Sequence, residues 1–172
     1  MATFSKISSV TVGSGGSSSI DFTSIPSTYT DLYLAASLRG TNNGSGDGQN
    51  PGIKINNTTT PYPTLYVYGT GTSISSNKST DFNILIDASN NTDDTASIFS
   101  NIFLYFPNYT SSNYKSFYGD YVRENNGAEG HNNLDARSWN STSAITSISL
   151  YRPLGGNHAQ YSTATLYGIK NS

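Results

Sequence analysis

The chain has 172 residues, which is enough for one domain with a sizeable core, and its formal net charge is only -2. It contains no cysteine, which excludes disulfides, thiolate metal sites and a cysteine nucleophile. No stretch approaches the roughly 18 apolar residues of a membrane span, and the scattered Lys and Arg form no basic stripe. We therefore expect a single domain over residues 1–172 that binds neither membrane nor nucleic acid.

The composition favours β-structure with a thin core. The hydrophobic share is 34%, below the roughly 45–50% of an ordinary globular chain. The 13 Tyr and 7 Phe nevertheless supply large apolar area. Aromatic and β-branched residues suit a pleated, half-buried surface, and abundant Gly, Asn, Ser and Asp suit the turns between strands. Stability is expected to come from packing or from partner subunits.

Alternation of apolar and polar residues recurs about every dozen residues and predicts short strands separated by turns. The two strands on either side of Gly13–Gly16 are interpreted as an N-terminal hairpin. The strand over Asp31–Arg39 is the clearest, because its four apolar residues from Leu32 to Leu38 share one face. In chain order the predicted strands are Thr3–Val12, Ser19–Thr23, Asp31–Arg39, Ile53–Asn56, Thr64–Tyr68, Asp81–Ala88, Ala96–Phe106, Ser112–Glu124, Leu134–Asn140, Ala144–Arg152 and Ser162–Lys170.

No segment keeps helical periodicity over the length that a helix needs. The series of short strands therefore predicts an all-β fold, an antiparallel two-sheet β-sandwich that is jelly-roll-like. Two polar segments, Gly40–Gly52 and Asn125–Asn133, are rich in turn formers and are predicted to be surface loops.

The segment Pro61–Tyr68 is the predicted contact surface. Tyr66 and Tyr68 share one face of a strand, opposite Leu65 and Val67, and tyrosine offers large contact area with a polar tip. The residues leave open a second arrangement, in which the tyrosines lie inside the sandwich and the two aliphatic residues pack beneath a loop. Including the two loops, the predicted partner-binding residues are Tyr62, Tyr66, Tyr68, Asn42, Asp47, Asn126 and His131.

Catalytic and metal sites are not expected. His131 and His158 lie beside Asn and Gly and are predicted to be solvated surface residues, and no Ser lies in a Gly-x-Ser-x-Gly elbow. Glu124 and Glu129 flank a polar loop and are interpreted as solvated side chains and not as a glycosidase pair. Trp139 is predicted to lie in the core and not to form a sugar platform.

Calcium is the one ion with candidate ligands. The loop oxygens contain a single carboxylate and lack the Asp-x-Asp spacing and terminal Glu of a calcium loop. The sequence therefore predicts no metal and no cofactor, and the oxygens considered are those of Asn42, Asn43, Ser45, Asp47 and Gln49.

The order of several segments resembles a group of tailed-phage virion proteins. The resemblance covers the framework strands from about Ile20 to Ile169 and implies β-sandwich modules found on capsids or in tail fibres. It rests on Asp21-Phe22, Ile25-Pro26, Tyr29-Thr30-Asp31-Leu32, Ile102 to Tyr109, Trp139 to Ile148 and Ser162 to Ile169.

From that resemblance we expect a non-enzymatic virion structural protein, a capsid decoration or cement protein on the outer capsid surface. Its partners would be the major capsid protein or other virion proteins, together with copies of itself, for which a trimer would suit a threefold site. The alternative is a tail-fibre or capsid-knob module that recognises a host-surface glycan or receptor. The strand pattern that begins at Thr3 favours a free-standing capsid module. Because Met1–Lys6 lacks the features of a secretory signal, we expect synthesis in the host cytoplasm.

Overall fold

The computed structural model describes residues 2–42, 50–58, 62–85, 89–126 and 130–171. This part of the chain forms β-strands joined by turns and loops, and no helix in it is long and apolar enough to cross a membrane. The strands are β1 (Thr3–Thr11), β2 (Ser19–Phe22), β3 (Asp31–Leu38), β4 (Gly52–Ile55), β5 (Tyr62–Gly69), β6 (Ile74–Phe82), β7 (Ser100–Phe106), β8 (Lys115–Glu124), β9 (Gly130–Trp139), β10 (Ile148–Tyr151) and β11 (Thr163–Lys170).

The strands form two antiparallel sheets. The larger has eight strands in the order β1-β11-β3-β7-β8-β9-β5-β6, and the smaller has three in the order β2-β10-β4. The predicted all-β, two-sheet antiparallel sandwich is confirmed. Because the small sheet covers only one side of the large one, the large sheet keeps a broad second side that faces away from it.

The core lies between the two sheets and follows from the alternation along each strand. Leu32, Leu34 and Leu38 of β3 are fully buried, as are Ile53 and Ile55 of the small sheet. Trp139 is only 5% exposed, which confirms its predicted place in the core.

The predicted N-terminal hairpin is wrong. β1 pairs with β11 in the large sheet, where Val10 lies opposite Ala164, whereas β2 pairs with β10 in the small sheet, where Ile20 lies opposite Leu150. Alternation identifies a strand but carries no information about which strand pairs with it, and a Gly-rich connection allows the chain to change sheets.

The strand predicted over Asp81–Ala88 is also largely wrong. Only its first two residues belong to a strand, β6, and Ile84 makes no more than an isolated bridge to Gly52; residues 86–88 lie outside the described part. β6 itself, Ile74–Phe82, was not predicted, because as the last strand of the sheet it is mostly exposed and has a polar sequence on both sides.

The predicted loop Asn125–Asn133 is shorter than expected. Gly130, His131, Asn132 and Asn133 form the start of β9 and pair with the end of β8. Backbone pairing across a hairpin satisfies donors and acceptors of polar residues as well as apolar ones, so polar composition alone did not mark the end of the strand.

Candidate functional site: the outer face of the large sheet

The outer face comprises the side chains of the eight-stranded sheet that point away from the small sheet. Outward side chains of a sandwich are ordinarily polar, and a contiguous apolar surface marks an interaction site. Here the outer face carries eight of the eleven exposed large hydrophobic side chains in the described part of the chain. They are Phe4, Leu65, Val67, Ile74, Phe103, Tyr118, Val122 and Leu134.

One row of cross-strand neighbours spans the whole outer face. Residues opposite one another on adjacent strands share a face of the sheet, so the pairing registers define the row directly. It contains four tyrosines on consecutive strands and ends in a lysine on each edge strand. From β1 to β6 this outer row reads Lys6, Tyr167, Tyr33, Tyr105, Tyr118, Ala136, Leu65 and Lys78.

The aromatic half of the outer face belongs to β1, β11, β3 and β7. The Tyr33 ring stacks on Phe103 with a centroid separation of 6.1 Å, and Phe4 meets Tyr33 edge-on at the same separation. Aromatic pairs at such separations add to the stabilisation from area burial alone. Phe4 keeps 63% of its surface exposed, so this half presents rings to whatever covers it.

A carboxylate holds one ring of the outer row in place. The Tyr105 hydroxyl donates to Asp31 Oδ2 at 2.7 Å, and the Asn108 backbone N–H donates to Asp31 Oδ1 at 2.9 Å. The hydrogen bond to Asp31, with burial and the Asp31 charge adding to it, raises the pKa of Tyr105 to about 12.

The groove half of the outer face belongs to β8, β9, β5 and β6. It contains a groove of about 690 Å³, and a second depression of about 360 Å³ lies on the other side of Leu65. Ligand and partner pockets are commonly apolar concavities of this size with few polar groups. The outward side chains that line the larger groove are Leu65, Val67, Leu134, Ala136, Tyr118, Ser76 and Lys78.

Two neighbouring strands of the groove half reverse the usual alternation. On β9, Leu134 and Ala136 point outward while Asp135 and Arg137 point inward and are buried. On β5, Leu65 is 64% exposed on the outside while Thr64 is buried inside. A shift of one residue in register would have exchanged the two faces of each strand. The observed registers instead leave the apolar side chains of both β5 and β9 exposed to solvent.

The inward polar residues form a network around one carboxylate oxygen of Asp135. Arg137 donates through Nε and Nη2 to Asp135 Oδ2 at 2.8 and 2.6 Å, and the Tyr121 hydroxyl donates to the same oxygen at 2.8 Å. Arg137 Nη2 also donates to the Ile84 carbonyl at 2.8 Å. Burial, followed by the Asp135 charge, raises the pKa of Tyr121 well above its usual value. Replacing a buried ion pair by apolar residues often stabilises a protein, so the pair by itself is weak evidence that this arrangement serves stability.

Tyr62 does not lie on a contact surface, contrary to the prediction. It is 1% exposed, packs edge-on against Phe117 at 5.7 Å, and accepts a hydrogen bond from the Ile55 N–H at 3.1 Å. Its position on the inward side of β5, over the core, accounts for the burial.

Tyr66 and Tyr68 point to the same side as Tyr62 and are half-buried, with ring centroids 6.0 Å apart. The structure thus selects the arrangement in which the tyrosine face is inward. The aliphatic residues of this strand do not pack beneath a loop, because Leu65 and Val67 remain 64% and 47% exposed.

The predicted loop residues lie in separate places. Asn42 accepts a hydrogen bond at Oδ1 from Arg152 Nη2 at 2.7 Å, and Asp47 lies outside the described residues. Asn126 is exposed at the β8–β9 turn, where its N–H donates to Glu124 Oε1, and His131 is half-buried on β9 opposite Arg123. Their predicted role in binding stays a prediction.

His158 is not a surface residue, which corrects the expectation for it. It is fully buried, Nε2 lies 3.1 Å from the Leu150 carbonyl oxygen, and its backbone bridges Ser17 and Gly40. Burial, together with the nearby positive charge of Arg152, lowers the pKa of His158 to about 4.

Candidate metal ligands and paired carboxylates are not assembled in the described residues. No three His, Asp or Glu side chains there lie together as a metal site would need. Of the considered calcium ligands, Asn43, Ser45, Asp47 and Gln49 lie outside the described part. Glu124 is exposed, and Glu129 also lies outside.

The sequence reasoning did not identify the outer row as a site. The feature of the sequence that marked the outer row was one tyrosine on the polar side of each of four strands, at Tyr33, Tyr105, Tyr118 and Tyr167. Such residues are individually ordinary, and only the pairing registers place them side by side. No protein-family model, curated protein or solved structure that was compared matches this chain.

Proposed function

We propose that this chain is a non-enzymatic structural protein of a phage virion that decorates the outer capsid surface and is held in an assembly by burial of its outer face. The observation that carries the proposal is the exposed apolar surface on that face, above all the outward Leu65, Val67 and Leu134 over an inward Asp135–Arg137 pair.

Burial of this surface would add to the stabilisation that the core between the sheets supplies. Covering a large aliphatic or aromatic side chain contributes about 1.5–3 kcal/mol, and Phe4, Leu65 and Leu134 each keep more than half of their surface exposed. Interface burial of several such residues exceeds the usual contribution of surface ion pairs, which is about 0–1 kcal/mol each. An outer face buried in an assembly therefore supports a structural role.

The test is co-sedimentation of the full chain with capsids assembled without it. The proposal expects saturable binding and capsids that withstand higher temperature once decorated, because a protein that binds only the assembled shell stabilises that shell. Leu65→Gln should weaken binding, whereas Leu154→Gln should not, since Leu154 is similarly exposed, at 69%, but lies between β10 and β11. Capsids that neither bind the chain nor gain heat stability would overturn the proposal.

The second candidate is a tail-fibre or capsid-knob module that recognises a host-surface glycan. The four tyrosines of the outer row favour it, because aromatic rings with hydroxyl groups suit both the faces and the hydroxyls of sugars. A glycan array and a host-cell adsorption assay separate the two. Saturable attachment of the isolated chain to cells, lost in Tyr33→Ala, together with no binding to capsids, would establish recognition instead.

A further inference from the structure

We propose that the outer face is covered by the outer face of a second copy of this chain, in a dimer with two-fold symmetry. The inference rests on the proposed function in taking the outer face to be buried in an assembly, and it names the partner that buries it. Three observations on the outer face carry it: the symmetry of the outer row, the different shapes of its halves, and its area.

The outer row divides evenly between its two halves. Four strands lie on each side of the boundary between Tyr105 and Tyr118, and the row ends in Lys6 on one edge and Lys78 on the other. A two-fold axis that runs parallel to the strands over this boundary, midway between the two facing copies, places each strand of one half above a strand of the other half in the second copy. Such an interface is self-complementary, and each contact occurs twice.

The two halves of the outer face have the complementary shapes that this axis requires. The aromatic half presents rings, and the groove half presents a groove of about 690 Å³ lined by smaller side chains. Rotation about the axis places Tyr33 of one copy above Ala136 of the other, and Tyr167 above Leu65. Tyr105 of one copy meets Tyr118 of the other at the axis, and on either side of the axis the rings of the aromatic half face smaller side chains and the open groove, as close packing between facing sheets needs.

The area of the outer face is that of a stable dimer interface. Eight strands at about 4.8 Å spacing, each contributing about seven residues at about 3.4 Å, cover about 900 Å² per copy. Stable protein interfaces bury about 800 Å² per partner. One half of the outer face alone would bury only about half of that area. The whole outer face is therefore needed, and a single symmetric partner covers all of it.

The charges at the rim give the dimer a distinctive salt dependence. The axis places the exposed Lys6 of one copy near the exposed Lys78 of the other, and these like charges repel. Salt screens that repulsion, whereas the stabilisation from burying the apolar centre does not depend on charge screening. Dimerisation should therefore strengthen with ionic strength, whereas binding to an acidic partner through the same lysines would weaken.

The first test is sedimentation velocity of the full chain at about 1–100 µM, in low salt and in about 0.5 M NaCl. We expect a dimer whose association constant rises about two-fold or more in high salt. Leu65→Gln should weaken association about ten-fold or more, and Leu154→Gln, at a similarly exposed leucine off the outer face, should not. Matching circular dichroism spectra of all variants show that the fold is kept. A wild-type monomer, a trimer, or equal effects of the two substitutions would overturn the inference.

The second test uses the absence of native cysteine. Tyr33 and Ala136 lie on strands separated by two others within one chain, about 14 Å apart, whereas facing sheets pack about 10 Å apart. A bismaleimide shorter than the separation within a chain should link Tyr33→Cys to Ala136→Cys when the two single variants are mixed. Tyr33→Cys alone should not be linked, because the two copies of residue 33 lie on opposite sides of the axis. Linking of Tyr33→Cys alone, or none in the mixture, would contradict the two-fold arrangement.

The two proposals can fail separately. A dimer that does not bind capsids would retain this inference and remove the capsid role. A monomer that binds capsids, and loses that binding in Leu65→Gln, would retain the capsid role and remove the second copy as the occupant of the outer face.

Discussion

The Tyr29 ring lies directly over the backbone of Gly168, so closely that a Cβ at position 168 would overlap the ring atoms. Tyr29 precedes β3 and Gly168 lies on β11, which pairs with β3. The contact joins two segments that are far apart in the sequence. A residue larger than glycine at 168 would have to displace the ring from its partly buried position against the core.

Gly168→Ala is expected to lower the free energy of unfolding by about 1–3 kcal/mol, the usual cost of overpacking. Gly13→Ala is the matched control, because a Cβ there meets nothing within 4 Å. Urea denaturation of both variants measures the difference. Equal stability of the two variants would show that Tyr29 moves aside without cost.

Asp135→Asn is expected to lower the free energy of unfolding by about 3–5 kcal/mol, because it leaves Arg137 buried without its counter-charge. Glu124→Gln, which neutralises an exposed carboxylate and keeps an acceptor for Asn126, should change stability by less than about 0.5 kcal/mol.

The double variant Asp135→Leu with Arg137→Met tests whether the buried pair is retained for stability. Apolar replacement of a buried ion pair is often neutral or stabilising, so we expect the double variant to be more stable than Asp135→Asn in chemical denaturation. A double variant as unstable as the single one would mean that the pair, with Tyr121 and Ile84, stabilises the sheet by more than its desolvation costs.

Tyr105 should titrate above the ordinary range of a tyrosine, since its pKa is raised to about 12. A raised pKa means that the folded state favours the neutral hydroxyl. The contribution of Tyr105 to folding stability is therefore fully present below about pH 10, which is the pKa of tyrosine in the unfolded chain. This contribution is lost as pH rises through about 12. Spectrophotometric titration should show a transition that disappears in Tyr105→Phe and moves to lower pH in Asp31→Asn. An unchanged transition in Asp31→Asn would show that the carboxylate is not the cause.

His158 should make the protein sensitive to acid. Its folded pKa is about 4, below the unfolded value of about 6.5, so the unfolded chain takes up the proton first. The contribution of neutral His158 to the free energy of unfolding is fully present above about pH 6.5. It falls progressively as pH drops towards 4, by about 3 kcal/mol in all.

Thermal unfolding between pH 7 and pH 4 measures this effect. His158→Gln should flatten the dependence of the unfolding temperature on pH. His131→Gln, at the half-buried histidine, should leave most of that dependence. Arg152 and Asp21 also influence His158, and Arg152, whose pKa is lowered by burial only to about 10, keeps its charge across this range. A slope that persists in His158→Gln would assign the acid sensitivity to carboxylates instead.

Local alternation was enough to predict the all-β class and most of the strands. The apolar side of β3, from Leu32 to Leu38, is an example: every second residue must leave the water, and the pleat puts these residues on one face whatever the strand pairs with. The same reasoning failed for β6, because an exposed edge strand needs no apolar alternation.

The pairing of strands and the direction of each face were decided only by the tertiary structure. An alternating segment specifies two faces equally well, and contacts distant in sequence select the inward one. On β5 and β9 they turned Tyr62 and Asp135 inward and left Leu65 and Leu134 in water, and on four further strands they aligned the tyrosines of the outer row. The amino-acid sequence by itself determined that there would be pleated strands with two unlike faces; long-range pairing decided which face became the core and which became the surface for a partner.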